Sequence, residues 1–266
     1  MPTDLRLCRS LLFMPASNRR AVAKARELGA DLVVLDLEDA VKPGDKDEAR
    51  AAAVAAAAEG FPCPCAIRIN SEQPWHGPDL EATAASRADY VIVPMTPDAE
   101  SPRRAAQATG RPVLAMIETA RGVLNAAAIA PETAGLIAGT NDLAADLGLR
   151  PGGGRGALVT ALQTILLAAR AAGVAAFDGV YNRLDDPEGF AAQCAEGRAF
   201  GFDGKSLIHP SQVEAANRLF GPTGEEVAAA RRLLAAATGG AERFEGEMIE
   251  RMHVEQARRV LVRARI

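Results

Sequence analysis

Short apolar runs alternate with stretches of helical periodicity along most of the chain. The runs at 10–14 (SLLFM), 32–37 (LVVLDL), 66–70 (AIRIN), 90–94 (YVIVP), 113–117, 135–138, 175–180 and 205–208 have the length and aliphatic content of buried strands. Helical patterns fill the gaps at 18–28, 46–59, 79–86, 99–109, 122–129, 157–172 and 187–200, with a further helix after Pro210. Gly29 and Gly60 close the first two, as a helix C-terminus requires. Eight strand–helix units in about 210 residues predict a parallel sheet closed into a (β/α)8 TIM barrel. Residues 139–154 read as a loop, and RPGGGRG (150–156) lacks the lysine of a phosphate cradle. After Gly221 the rhythm changes to a helix at 225–237, a turn-rich GGAERFEGE and a last helix at 252–264. The expected domains are therefore a barrel over 1–220 and a C-terminal helical extension over 221–266. The extension is too short to fold alone, so it must pack on its own barrel or on a neighbour's.

Composition narrows the classes. The 266 residues are 48% hydrophobic but only 4% aromatic, so the core is aliphatic and alanine-rich. No apolar stretch reaches the ~18 residues of a membrane span, and MPTDLRLCRS has no apolar signal segment. A cytoplasmic location is expected. The net charge of -4 argues against a nucleic-acid partner. Four cysteines make no disulfide scaffold, and three scattered histidines make no zinc motif.

Chemistry in such a barrel sits where the strands end. The second strand ends in Asp36-Leu37-Glu38-Asp39, the third carries Arg68 and Asn70, the fifth ends in Glu118, and the sixth runs into Gly139-Thr140-Asn141-Asp142. Strand residues alternate between faces, so Asp36 and Glu38 follow Val34, Arg68 follows Ala66, and Glu118 follows Met116 on the face that opens at the mouth. Taken alone, Asp39 and Asp146 read as caps or solvated charges. Glu118 and Asp142 differ, because they lie one strand–helix unit apart. Carboxylates that close share a proton or hold a cation, and oxygen ligands suit Mg²⁺, with Mn²⁺ as a substitute. Arg68 beside them is placed to clamp a substrate carboxylate with its planar fork. A metal and an arginine suit a small oxo- or hydroxy-acid reacting through an enolate. A Schiff-base mechanism finds no lysine: Lys24, Lys42 and Lys46 fall on a helix or loop, and Lys205 opens the eighth strand at the end away from the expected site. Arg19 and Arg20 open the first helix, whose N-terminus is a candidate phosphate site.

These same residues carry a family resemblance. RSLLFMPAS (9–17), LVVLDLEDAV (32–41), IRIN (67–70), MIETARGVLNA (116–126), GTNDLAADLG (139–148), AFDGVY (176–181), GFDGKSLIHPSQV (201–213) and GEMIERMHVEQARRVL (246–261) resemble the citrate lyase beta-subunit-like branch of the HpcH/HpaI aldolase family. The resemblance covers nearly the whole chain in order. It implies a homotrimeric or homohexameric (β/α)8 barrel, Mg²⁺ held by Glu118 and Asp142, and Arg68 on the substrate's carboxylate. Asn141 is expected in the substrate site, with Asp36, Glu38 and Asp39 around it. The implied reaction is Mg²⁺-dependent carbon–carbon cleavage, or formation, of a small 3-hydroxyacyl thioester such as citryl-, malyl- or citramalyl-CoA. Its products are an acyl thioester, on CoA or an acyl-carrier protein, and a 2-oxo acid. The family's M-I-D-x-P aspartate, an acid/base delivered to a neighbouring subunit's site, is matched by Glu250 in Met248-Ile249-Glu250-Arg251-Met252, and the proline is absent. A thioesterase, an aldolase for a free hydroxy-oxo acid, and a non-catalytic 2-oxo-acid-binding subunit are the alternatives.

Overall fold

The computed structural model describes residues 4–150, 152, 154–238 and 240–264. Within them the chain divides into two compact units, Met1–Asn217 and Arg218–Ile266. The first contains eight strands: β1 (Ser10–Pro15), β2 (Leu32–Asp36), β3 (Cys65–Arg68), β4 (Tyr90–Val93), β5 (Val113–Ile117), β6 (Gly135–Ala138), β7 (Ala175–Asp178) and β8 (Gly204–Leu207). All neighbours are parallel, and β8 returns to β1, so the sheet closes as a barrel. The helices are α1 (Arg19–Ala25), α2 (Lys46–Glu59), α3 (His76–Ala85), α4 (Glu100–Thr109), α5 (Ala120–Ile129), α6 (Thr140–Asp146), α7 (Val159–Ala172), α8 (Pro187–Phe200) and α9 (Val213–Phe220).

The expected alternation of faces holds. Leu11, Phe13, Leu32, Val34, Ala66, Ile92, Leu114, Met116, Ile137 and Phe177 form one buried cluster inside the barrel, each alternate residue of its strand facing inward. The apolar interior passes directly into the polar mouth. Phe13 and Met116 lie immediately under Arg68, whose guanidinium carbon is 5.2 Å from the Phe13 ring centre and whose Nη1 is 3.9 Å from Met116 Sδ.

Two segments differ from the sequence expectation. Residues 140–146, read as loop, form α6, because Gly139 leaves the strand and Thr140 starts a helical turn at once. The turn-rich segment near 240–248 is a hairpin of β9 (Glu242–Phe244) and β10 (Glu247–Ile249), turned at Glu245 and Gly246, both with positive φ. Strands of three residues carry too few alternations to show in a sequence. The hairpin belongs to the second unit, with α10 (Gly224–Ala236) and α11 (Arg251–Arg263). Pro151 and Gly153 of the glycine-rich stretch lie outside the described residues. Among the described residues no helix is long and apolar enough to cross a membrane.

Candidate active site

Strand register explains the central ion cluster. Asp36 and Arg68 are Cα partners at the ends of β2 and β3. Both side chains point to the mouth, so the carboxylate meets the guanidinium edge-on. Arg68 Nε donates to Asp36 Oδ1 at 2.6 Å and Nη2 donates to Oδ2 at 2.7 Å. Asp36 is itself fixed by the backbone N–H groups of Glu38 (2.9 Å) and Ala40 (3.3 Å). Arg68 Nη1 lies 3.0 Å from Glu38 Oε2 and 3.2 Å from Asp39 Oδ2. Burial lowers the affinity of Arg68 for its proton, but these three carboxylates raise it by more. Asp36 thus holds the Nε/Nη2 edge of Arg68, and Nη1, on the edge that faces the cavity, meets Glu38 and Asp39.

Glu118 continues the inward face of β5 beyond Ile117 and is almost fully buried. Its Oε2 accepts from Met95 N at 2.6 Å. Met95 has φ 48°, a conformation that costs a non-glycine residue about 1–3 kcal/mol, and this turn aims its N–H at the carboxylate. Gly139 is required by the same packing, since a Cβ there would lie inside the Glu118 side chain. Asp142 is on the first turn of α6 rather than at a strand end. It lines the same two cavities as Glu118 and Asp39, one of about 340 Å³ that also touches Trp75 and Lys46, the other of about 310 Å³ that also touches Arg68, Asn141 and Asn182.

The mouth holds an excess of acid. Burial pushes Glu118 up to about 7, and the charges of Asp142 and Asp39 add to this against the Met95 N–H and Arg68. Burial likewise pushes Glu38 up to about 8, opposed by Arg68 and assisted by Asp39, Glu118 and Asp36. No group of three or more His, Cys, Asp or Glu side chains forms a metal cage among the described residues. The chemistry of the donor set nonetheless fits a hard cation that keeps most of its waters, with Glu118 and Asp142 as its two carboxylates.

The other expected residues fall as follows. Asn141 exchanges amide hydrogen bonds with Asn182 across the rim, at 2.8 and 3.3 Å. Arg19 and Arg20 are exposed at the start of α1 and line neither cavity. Glu250 belongs to the second unit, where it is the exposed N-cap of α11 and its backbone N–H donates to His253 Nδ1 at 3.0 Å. Asp146 accepts from Ala120 N at 2.7 Å, a cap for α5.

Two lysines reach further than their backbone positions suggest. Lys46 does reach a cavity wall, but its Nζ is held by Leu37 O (2.8 Å), Glu38 O (2.7 Å) and Asn70 Oδ1 over the Trp75 ring. Three acceptors suit an ammonium, not a free amine. Lys205 lies near the start of β8 as expected, paired with Ser10 at the start of β1 and with Asp178 on β7, but it faces the helices outside the barrel wall and its Nζ reaches Gly179 just past the end of β7. Met95, Asn182 and Lys46 were missed from sequence. Gly139 also had to wait for the structure: the register Ile117↔Ala138 puts position 139 beside Glu118, where there is no room for a side chain.

A barrel whose mouth sets clustered carboxylates against one committed arginine has the layout of an enzyme site for a small anion and a cation. Comparison with known proteins agrees. Residues 9–210 match HpcH/HpaI aldolase/citrate lyase, and the chain belongs to this family of enzymes. It is 42% identical to a (3S)-malyl-CoA thioesterase of Cereibacter sphaeroides, over 96% of this chain and 94% of that one. It is 34% identical to the citrate lyase subunit beta of Leuconostoc mesenteroides subsp. cremoris, over 96% and 93%. Among solved structures, the protein CitE of Mycobacterium tuberculosis in complex with magnesium, acetoacetate and coenzyme A superposes with a TM-score of 0.84 at 36% identity, covering 98% of this chain and 100% of that one.

Proposed function

We propose that the protein is a Mg²⁺-dependent enzyme that hydrolyses the CoA thioester of a small hydroxy diacid, with (3S)-malyl-CoA as its first candidate substrate. The observation that carries this reading is the placement of Glu118, Asp142 and Arg68 on one shared cavity, in a chain 42% identical to a malyl-CoA thioesterase. Glu118 and Asp142 hold the cation. Bound Mg²⁺ supplies a positive charge that polarises substrate oxygens. Arg68 receives the free carboxylate of the acyl group on its outer edge, displacing Asp39 and Glu38 from Nη1, while Asp36 keeps the guanidinium oriented. Asn141 and Asn182 offer amide donors at the rim. In hydrolysis a water oxygen bonds to the thioester carbonyl carbon, the carbon–sulfur bond breaks, and a water proton ends on the CoA thiol.

The second unit is proposed to pack on a neighbouring copy in a homotrimer or homohexamer and to bring Glu250 to that copy's mouth. Arg19 and Arg20 are proposed to meet the CoA phosphates. If the site is shared, mixing Glu250→Ala subunits with Arg68→Ala subunits restores activity that neither has alone. Confirmed mixed oligomers without recovery contradict sharing.

Carbon–carbon cleavage is the second reading, favoured by the likeness to citrate lyase subunit beta and CitE. One assay separates the two. Malyl-, citryl- and citramalyl-CoA are each incubated with protein and Mg²⁺, and free thiol and 2-oxo acid are both measured. The proposal expects thiol and malate from malyl-CoA. A 2-oxo acid without free thiol establishes the lyase instead, and binding without either product establishes a binding subunit.

A further inference from the structure

Behind the mouth, outside the barrel wall, lies a second ion cluster that the proposed chemistry does not use. Asp178 and Lys205 are Cα partners on β7 and β8, and both are fully buried. They face the helices, because the alternate residue Phe177 faces the interior. Arg155 binds both oxygens of Asp178 through Nη1 and Nη2. This cluster holds Gly179 through both of the peptide units that flank it. The Gly179 N–H donates to Asp178 Oδ1 at 2.8 Å, and the Gly179 carbonyl accepts from Lys205 Nζ, which also lies 3.1 Å from Asp178 Oδ2.

Gly179 is in turn the seat of α6. The space its Cβ would occupy is filled by the hydroxyl and methyl of Thr140 and by the carbonyl of Ala138. Thr140 is the first residue of α6, and Asn141 and Asp142 follow it on the same turn. Because Gly179 is clamped and has no side chain, the helix start has one position in which to rest.

We infer that Lys205 is a positioning residue: with Asp178 it locks the Gly179 peptide against Thr140 and so fixes the turn that presents Asp142 to the cation. The inference rests on the reading of Asp142 as a cation ligand. It assigns Lys205 no contact with substrate and no imine chemistry, since its ammonium is enclosed on the helix side of the wall. Outer groups that orient metal ligands typically change affinity by about 10–100-fold when removed.

The test compares two variants of the same helix layer. Lys205→Met removes the clamp. Arg170→Met breaks the Arg170–Asp203 pair, which lies just before β8, two residues from Lys205, and braces the Ala176 backbone rather than Gly179. Mg²⁺ affinity in the presence of oxaloacetate is measured by calorimetry, and melting temperature is followed in parallel. Both variants are expected to melt lower, but only Lys205→Met is expected to bind Mg²⁺ more weakly, by about tenfold or more. If Lys205→Met does not fold, Gly179→Ala keeps the ion cluster and pushes on Thr140, and the same loss is expected. Unchanged Mg²⁺ affinity in the folded variant, or an equal loss in Arg170→Met, overturns the inference. Wild-type protein that takes up no Mg²⁺ overturns the cation site itself, and the inference with it.

Discussion

Two buried ion clusters sit at the same end of this barrel, one on each side of its wall, and their charge balance differs. At the mouth, Arg68 meets Asp36, Glu38 and Asp39, with Glu118 and Asp142 on the same cavities. Acid outnumbers base there, and Glu118 and Glu38 are pushed up to about 7 and about 8. Behind the wall, Asp178 is bracketed by Lys205 and Arg155, and Arg155 also lies 3.0 Å from Glu196, so two cations meet two carboxylates. In the second cluster Lys205 and Asp178 are enclosed, Arg155 turns its Nε to half-exposed Glu196, and the partners answer one another. The first opens onto cavities and lacks positive charge. A buried ion pair is weak evidence of function by itself. An unbalanced one that faces a cavity calls for a ligand of the missing sign, and a balanced one that faces helices holds structure in place.

The sharpest way to break this comparison is at Asp36. Asp36→Asn leaves Arg68 buried without its edge-on carboxylate, and removing one partner of a buried pair costs about 3–5 kcal/mol. Chemical denaturation is expected to show a loss of that size. A loss well under about 1 kcal/mol, the level of an exposed pair, contradicts the reading of Asp36 as the anchor. Arg68→Lys keeps the charge but not the fork. It is expected to lose about 2–4 kcal/mol of transition-state binding, read from kcat/KM. Wild-type kcat/KM in this variant means that the outer edge of Arg68 meets no substrate carboxylate.

A subtler effect separates an empty acid cluster from a filled one. Glu118 and Glu38 bind protons more tightly folded than unfolded, from the ordinary value of 4.5 up to about 7 and about 8. Between these limits the folded state carries the extra protons, so stability is greatest at the acid end and falls as pH rises. With EDTA present, the melting temperature is expected to fall from pH 5 to pH 8 through these two groups. Saturating Mg²⁺ is expected to flatten that fall, because the cation replaces the protons. The Glu118→Gln variant provides the control, since its share of the slope disappears. A slope identical in wild type and variant contradicts the assignment.

Much of this was legible in the chain. The eight strands stood out because each is a short aliphatic run bounded by turn residues, and alternation placed Asp36, Arg68 and Glu118 on the inward face. What local periodicity lacks is register between strands. It put Arg68 in the mouth but did not show that Asp36 stands directly beside it and takes half its fork. Lys205 lies near the start of its strand as expected, but that its long side chain reaches Gly179, past the end of β7, could not be read from its own strand. The left-handed turn at Met95 leaves no mark on the sequence, because the residue is not the glycine such a turn favours. α6 was hidden by its brevity and by the Gly148–Gly154 stretch after it.

The central claim is that the unbalanced mouth is a cation site built on Glu118 and Asp142. Calorimetric Mg²⁺ titration with oxaloacetate present, on wild type, Glu118→Gln and Asp142→Asn, tests it most directly. Each substitution removes one carboxylate charge from a two-ligand site and leaves its shape. The account predicts saturable Mg²⁺ uptake by the wild type and a loss of most of that affinity in each variant, with the folded state intact by circular dichroism. Mg²⁺ affinity equal to wild type in both folded variants contradicts it.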